Sequence, residues 1–144
     1  MKNTFTLITV IFLFFTSCSS DDKSEPLDSC GQNAIVLSEA QYDATESDYN
    51  IITAVALSGN CLSITVGASG CNPNNWTLNL FSTDAFYDVF PLQRIAKIQV
   101  VTNEACAAAF EKTVVFDLTP FQISGQNNVP INLEGWDEPI NYQY

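Results

Sequence analysis

The chain of 144 residues contains no histidine, and only five lysine and arginine residues stand against sixteen aspartate and glutamate residues. Without histidine, the side chain that most often serves as a general base or a metal ligand is missing. The formal net charge of −11 argues against nucleic acid as a partner, because phosphate contacts are made by lysine and arginine. Anionic lipid surfaces are disfavoured for the same reason. Basic proteins, divalent cations and neutral glycans remain open as partners.

Long apolar runs are also absent, apart from the mostly apolar stretch of residues 5–15. A helix that spans a bilayer needs about twenty apolar residues, so this stretch is too short for a permanent span. It has the length of a signal-peptide core and follows the positive end formed by Met1 and Lys2. We therefore expect residues 1–17 to be a signal peptide that is removed.

The stretch ends in Phe15-Thr16-Ser17-Cys18, which Ser19-Ser20-Asp21-Asp22 follows at once. This pattern resembles the processing site of bacterial lipoproteins, and the string from Ser17 to Asp22 is similar to that of Bacteroidetes lipoproteins. Phe15 departs from the leucine that the family most often has there. The resemblance implies that Cys18 receives a diacylglyceryl group, that a signal peptidase cleaves before it, and that the new amino terminus is acylated. An ordinary secretory signal with an incidental cysteine is the alternative.

Cleavage before Cys18 removes Lys2 and takes the net charge from −11 to −12. Residues 18–28 are rich in acids and contain Pro26, so we expect an acidic tether between the lipid and the domain. Acids directly after the cysteine also resemble the surface-export signal of some Bacteroidetes lipoproteins. The expected location is the outer membrane, with the domain either exposed on the cell surface or facing the periplasm.

Residues 29–144 read as one domain with short segments of alternating apolar and polar residues. The pattern predicts an all-β, immunoglobulin-like antiparallel sandwich of about seven to eight strands, with a closed barrel as the alternative. In the second segment, Ile51, Val55 and Leu57 are expected to share one face. The predicted strands cover residues 34–38, 49–57, 61–68, 76–81, 94–101, 114–118, 129–133 and 140–144.

One segment departs from the β pattern. Residues 103–110 are rich in alanine, and Asn103 stands where it could cap a helical turn. The sequence therefore predicts a short helical turn between two strands.

Four cysteines remain once Cys18 is set aside, and an even number is typical of a small exported domain with disulfides. Successive strands joined by short turns run in opposite directions, and Cys61 and Cys71 bracket one strand, so they are too far apart to pair. The same alternation puts Cys30 near Cys61 and Cys71 near Cys106. We expect those two bridges. A zinc site is the competing interpretation, but no CxxC spacing is present.

Catalytic groups are sparse. A serine or cysteine nucleophile needs a base, and without histidine only a lysine could serve: Lys23, Lys97 or Lys112. Paired carboxylates for glycoside hydrolysis, or a calcium site, could come from the loop acids Asp84, Asp88, Asp117, Glu134, Asp137 and Glu138. No SxxK motif accompanies the lysines, and the acids do not have the spacing of an EF-hand loop. The sequence predicts no metal site and no cofactor, and it predicts that the chain is not an enzyme.

Aromatic residues give the remaining lead, since sugars and proteins both stack on exposed rings. Trp76 shares a face with Leu78 and Leu80, so we expect it in the core. Trp136 lies in a predicted turn, where a large ring is harder to bury. A second aromatic group, Phe86, Tyr87 and Phe90, lies in the connection 82–92. These four are the candidate binding residues, and the alternative is that their rings fold back to close the core.

The domain also resembles small uncharacterised Bacteroidetes lipoproteins. The likeness rests on the strand Cys61-Leu62-Ser63-Ile64-Thr65-Val66, the turn Ser69-Gly70-Cys71 with Trp76 soon after it, and the strand Phe116-Asp117-Leu118. It spans about residues 30–120 and implies no activity.

Together these features predict a lipid-anchored, non-enzymatic binding module of the cell envelope for a protein or a glycan. A structural or assembly component of an envelope complex is one alternative. A small carboxylate-dependent hydrolase is another. The oligomeric state is left open.

Overall fold

The structure, a computed structural model, describes residues 30–86 and 89–144. The predicted signal peptide, the predicted lipidation site Cys18 and the predicted tether lie outside the described residues, and so does Tyr87.

Nine strands and one short helix make up the described chain. They are β1 (Gln32–Asn33), β2 (Ile35–Leu37), α1 (Glu39–Asp43), β3 (Asn50–Ser58), β4 (Cys61–Gly70), β5 (Thr77–Thr83), β6 (Arg94–Val101), β7 (Ala108–Asp117), β8 (Asn128–Leu133) and β9 (Ile140–Gln143), and 3₁₀ turns form at Pro73–Asn75 and Thr119–Phe121.

The strands form two sheets, ordered β1-β7-β4-β3 and β2-β5-β6-β8-β9. The predicted β-sandwich is thereby confirmed, with nine strands in place of the seven or eight expected. The sheets are mixed, because β1 runs parallel to β7, β2 to β5 and β6 to β8. Alternating polarity identifies strands but carries no information on strand direction across a long connection, so these parallel pairs could not be predicted from it.

The core lies between the sheets and consists of the alternate residues that the sequence pattern predicts. Trp76, Leu78 and Leu80 of the second sheet are buried as expected. Alternate residues of β4 and β7, the two central strands of the first sheet, pack against these residues from the other side of the core. The fully buried residues of β4 and β7 are Leu62, Ile64, Val66 and Phe116.

The face prediction for β3 is wrong at one residue. Ile51 is exposed, whereas Ile52, Val55 and Leu57 pack against the core. The register between β3 and β4 shifts between Ile52 and Ala54, and an extra residue in one strand reverses which side chains face inward. Ile51 is therefore displaced to the outer face of the sheet.

The predicted helical turn at 103–110 is also wrong. Asn103 adopts a left-handed conformation with φ of 50°, and β7 begins at Ala108. All ten residues of β7 pair with β4, and this ladder outweighs the helix propensity of a few alanines. A helix occurs instead at α1, where Ser38 and Gln41 form a capping box that the sequence interpretation missed.

Two disulfides close opposite ends of the sandwich. Cys30 is bonded to Cys61, and Cys71 to Cys106, with Cα atoms 5.0 Å apart in both pairs. This is the pairing expected from strand direction. The end at the start of β4 is called the Cys61 end below, and the other the Cys71 end. The ten residues of β4 separate them by about 33 Å.

No helix among residues 30–86 and 89–144 is long and apolar enough to cross a membrane.

Candidate functional site

The two lysines of the described chain are engaged in the fold. Lys97 donates hydrogen bonds from Nζ to the carbonyl oxygens of Tyr42 and Thr45, and its ammonium group lies 4.3 Å from the centre of the Tyr42 ring. Lys112 donates from Nζ to the carbonyl oxygen of Trp76 at 2.7 Å. Both amines thus connect separate elements of the sandwich and face protein oxygens, which is the arrangement of a structural lysine and not of a general base.

Arg94 is the third basic residue and is almost fully buried. Its Nε donates to the carbonyl oxygen of Phe121 at 2.7 Å, and one terminal nitrogen donates to the carbonyl oxygen of Thr83 at 3.0 Å. The guanidinium also lies over the ring of Phe86, 4.8 Å from its centre. Burial lowers the pKa of Arg94. With all three cations held against carbonyl oxygens, acids dominate the outward charge of the described domain.

Glu104 is the most heavily hydrogen-bonded acid at the Cys71 end. Its Oε2 accepts from the backbone N–H groups of Cys71 and Asn72 at 2.6 and 3.0 Å, and from Nε1 of Trp76 at 3.3 Å. Its Oε1 accepts from the side chain of Asn75 at 3.1 Å. These donors, the Asn72 N–H first among them, lower the pKa of Glu104 to about 2. The carboxylate fixes the turn after β4, so its perturbed pKa has a structural cause.

Glu104→Gln is expected to lower the melting temperature at pH 7. A carboxyl group whose pKa is lower in the folded chain stabilises the fold above its ordinary pKa of about 4.5. That stabilisation is lost as the pH falls from about 4.5 to about 2. The difference in melting temperature between wild type and Glu104→Gln should therefore be constant near neutrality and shrink across this interval, as measured by thermal unfolding at several pH values.

The matched control is Glu138→Gln, at an exposed acid in a turn. It should change the melting temperature little at any pH, because no fold-defining contact is lost. A difference for Glu104→Gln that does not depend on pH would contradict the proposed origin of its stabilising effect.

An apolar groove of about 370 Å³ lies on the outer face of the first sheet, at its Cys71 end. Gly67 leaves its floor open, since it stands opposite Ile51 of β3 and Glu111 of β7. A Cβ atom at residue 67 would come within 3.2 Å of Cγ1 of Ile51, so glycine is what lets Ile51 lie across the strand. The groove is lined by Tyr49, Ile51, Gly67, Ala68, Ser69, Ala109, Phe110 and Glu111.

A polar cleft of about 660 Å³ lies on the other side of Tyr49 and Ile51, between β3 and the second sheet. Lys97 and Glu134 face it together with Asp48. Asp48 accepts hydrogen bonds from the backbone N–H and the hydroxyl of Thr102, which lower its pKa. Tyr49 and Ile51 therefore form a ridge between an apolar groove and a polar cleft, called the Tyr49 ridge below.

Tyr49 is the most exposed large side chain of this region, at 86%. The sequence pattern does not single it out, because Tyr49 stands at the start of a predicted strand and does not belong to an aromatic group. The signal was available: a tyrosine that follows a run of polar residues at the start of a strand has no inward neighbour to pack on.

Trp136, the first candidate binding residue, is only partly exposed. Its side chain packs against the core, and its backbone N–H donates to the carbonyl oxygen of Leu133 in a tight turn. With Asp137 and Glu138 it lines a small cavity of about 180 Å³. Much of the Trp136 side chain is therefore covered by the core, as expected for a ring that folds back over the end of the sandwich.

The other aromatic candidates lie elsewhere. Phe86 and Phe90 follow β5 and precede β6, and Phe90 is 92% exposed. They are at the Cys61 end, opposite the Tyr49 ridge, because Phe86 contacts Arg94 and Arg94 contacts Phe121. Among the described candidates, Trp136 therefore does not form one site with Phe86 and Phe90.

Two of the candidate carboxylates are engaged in the fold, and Asp88 lies outside the described residues. Glu134 accepts a hydrogen bond from the hydroxyl of Tyr42 at 2.6 Å, and Asp117 caps the turn at Thr119. In the part of the chain that the structure describes, no group of three or more histidine, cysteine or acidic residues is arranged to hold a metal ion.

Comparisons with known proteins identify the fold. No family of known proteins matches the chain, and no curated protein matches its sequence. A protein of unknown function DUF1344 from Bacteroides vulgatus is similar in structure, with a TM-score of 0.55 and 15% identity over 78% of this chain and 56% of that one. A NigD-like immunity protein from Bacteroides caccae is similar with a TM-score of 0.55 and 7% identity, over 76% of this chain and 58% of that one.

This chain thus spans a little more than half the length of either structure. At such low identity the likeness shows the fold alone. The architecture that it shares is a two-sheet β fold found in Bacteroides proteins.

Proposed function

We propose that this chain is a lipid-anchored envelope protein that acts as a non-enzymatic binding module, and that its ligand is a protein bound at the Tyr49 ridge. The lipoprotein-like sequence around Cys18 supports the anchor, and two disulfides suit a compartment outside the cytoplasm. Neither structural neighbour has the name of an enzyme, which agrees with a non-enzymatic role.

The observation that carries the proposal is the Tyr49 ridge itself. An exposed tyrosine beside an exposed isoleucine, with an apolar groove on one side and a polar cleft on the other, has the composition of an interface centre. A folded domain gains no stability from leaving these side chains in water, so their exposure suits a partner that covers them.

The edge of the first sheet favours a protein over a glycan. β3 is an edge strand of nine residues without a charged residue or a proline, and within residues 30–86 and 89–144 no strand pairs with its outward N–H and C=O groups. Sheet edges are usually protected by charges, prolines or short length. An extended segment of a partner could pair with β3 and place an apolar side chain in the groove.

Charge favours a basic partner over a second copy of this chain. Glu111 and Asp48 flank the ridge, and Lys97, the one described cation that lines the cleft, donates its hydrogen bonds to the carbonyl oxygens of Tyr42 and Thr45. Two acidic copies would repel each other, whereas a basic segment would be attracted.

A photo-crosslinking amino acid placed at residue 49 in the native cells should give a covalent adduct with a protein of one size. The same amino acid at residue 90, an equally exposed aromatic position, should not give that adduct. The measurement is a shift in electrophoretic mobility followed by identification of the attached chain.

Ile51→Asp should reduce the adduct by about tenfold or more, since a charge in the groove opposes burial of an apolar partner. Val115→Asp is the matched control, because Val115 is exposed on the same face nearer the Cys61 end. An adduct unaffected by Ile51→Asp would contradict the site, and an adduct with polysaccharide would contradict a protein ligand.

A further inference from the structure

Three apolar side chains are exposed among the described residues of the connection between β5 and β6. Phe90 is 92% exposed, Val89 48% and Phe86 43%. They belong to one short stretch of chain between Thr83 and Arg94. Large apolar groups exposed together mark a surface that is covered in use. This group of three is called the apolar loop below.

Contacts place the apolar loop at the Cys61 end. Phe86 stacks on Arg94, and the Nε of Arg94 donates to the carbonyl oxygen of Phe121. Phe121 closes the 3₁₀ turn after Leu118, whose backbone N–H donates to the carbonyl oxygen of Asn60. Asn60 is the residue before Cys61, so a continuous set of contacts joins the apolar loop to the end that carries the Cys30–Cys61 bridge.

The chain enters the sandwich at the same end. Cys30 is the first described residue, and its bond to Cys61 holds it there. Cys18 lies twelve residues earlier in the sequence, and twelve residues span at most about 43 Å when fully extended. A lipid on Cys18 therefore keeps the Cys61 end within that distance of the bilayer. Ile51 of the Tyr49 ridge pairs with Gly67, six residues beyond Cys61, so the ridge lies about 20 Å farther along the sandwich.

We propose that the apolar loop inserts into the interface of the bilayer that holds the lipid anchor. The inference rests on the lipid anchor of the proposed function and adds an orientation, in which the Cys61 end faces the membrane and the Tyr49 ridge faces away. Phe90 enters the region of headgroups and first methylenes, where aromatic rings are favoured.

Tethering makes a small contact sufficient. Once the lipid chains are in the bilayer, insertion of the loop is an intramolecular step with a high effective concentration. Two acids, Glu39 and Asp43, line a cavity together with Phe86, and they select a surface without net negative charge. The occupant is therefore a zwitterionic lipid interface.

The test uses the full-length, lipidated chain reconstituted in phosphatidylcholine vesicles. Phe90→Trp adds one fluorophore to the native Trp76 and Trp136, and a brominated phosphatidylcholine quenches only fluorophores within the bilayer. The emission added by Phe90→Trp should lose at least twofold more intensity than the emission added by Tyr49→Trp, the matched variant at the opposite end.

Equal quenching of the two variants would overturn the proposal, and so would stronger quenching of Tyr49→Trp. Val89→Trp repeats the measurement at a second residue of the loop, should Phe90→Trp fold poorly. Flotation of wild type and of Cys18→Ala with the same vesicles separates the two proposals. If wild type fails to float, the lipid anchor is absent, and both the anchor and the insertion of the apolar loop are contradicted. If wild type floats but the loop is not quenched, only the insertion of the apolar loop is contradicted.

Discussion

Replacing Cys71 and Cys106 together by alanine is expected to lower the melting temperature by roughly 15 °C. The bridge closes a loop with a sequence separation of 35, and in the chain-entropy model its loss costs about 4 kcal/mol. For a domain of this size that corresponds to a shift of roughly 4 °C per kcal/mol. Thermal unfolding of the double variant followed by circular dichroism measures the effect.

The matched control is the double variant of Cys30 and Cys61, whose sequence separation of 31 predicts nearly the same loss. Because the two bridges lie at opposite ends, their effects should add in the quadruple variant. The Cys71 variant should also loosen the turn that Glu104 holds. A loss below about 1 kcal/mol for either pair would show that the unfolded chain retains structure that the loop model ignores.

Arg94→Ala is expected to reduce the free energy of unfolding by about 3 kcal/mol. The carbonyl oxygens of Phe121 and Thr83 would lose a charged donor while staying inside the protein, and each such loss costs about 1 to 3 kcal/mol. The desolvation cost of the buried guanidinium is recovered and offsets part of this loss. Urea denaturation monitored by tryptophan fluorescence measures the change.

Arg94→Lys is the informative comparison. An ammonium group keeps the charge but lacks the planar fork that reaches two carbonyl oxygens and stacks on Phe86. It should recover less than half of the stability that Arg94→Ala loses. If Arg94→Lys matched wild type, charge alone would explain the effect, and the geometric role of the guanidinium would be wrong.

The Tyr49 ridge and the apolar loop lie toward opposite ends of the sandwich. The described aromatic residues that the sequence predicts as binding residues also lie apart from one another. Trp136 is a partly buried turn residue, Phe86 and Phe90 belong to the Cys61 end, and the exposed ring of the Tyr49 ridge was not among the candidates.

Most strands could be predicted from the sequence, because one face of each strand is buried and alternation is a direct consequence of that burial. Trp76, Leu78 and Leu80 illustrate this. The bulge between Ile52 and Ala54 could not be predicted, since no local residue requires it and it is set by pairing with β4. The helical turn predicted for residues 103–110 is wrong for a related reason, because pairing with β4 decides the conformation of β7.

The sequence by itself determined the signal-peptide pattern, the acidic balance, the two-sheet β class and the pairing of the four cysteines. Each depends on composition, on spacing along the chain, or on strand direction between neighbouring segments. Only the tertiary structure decided that the three described cations face carbonyl oxygens, that Ile51 lies outside, and that the apolar loop shares an end with Cys30. These depend on contacts between residues far apart in sequence, and such contacts are selected by the packing of the two sheets as a whole.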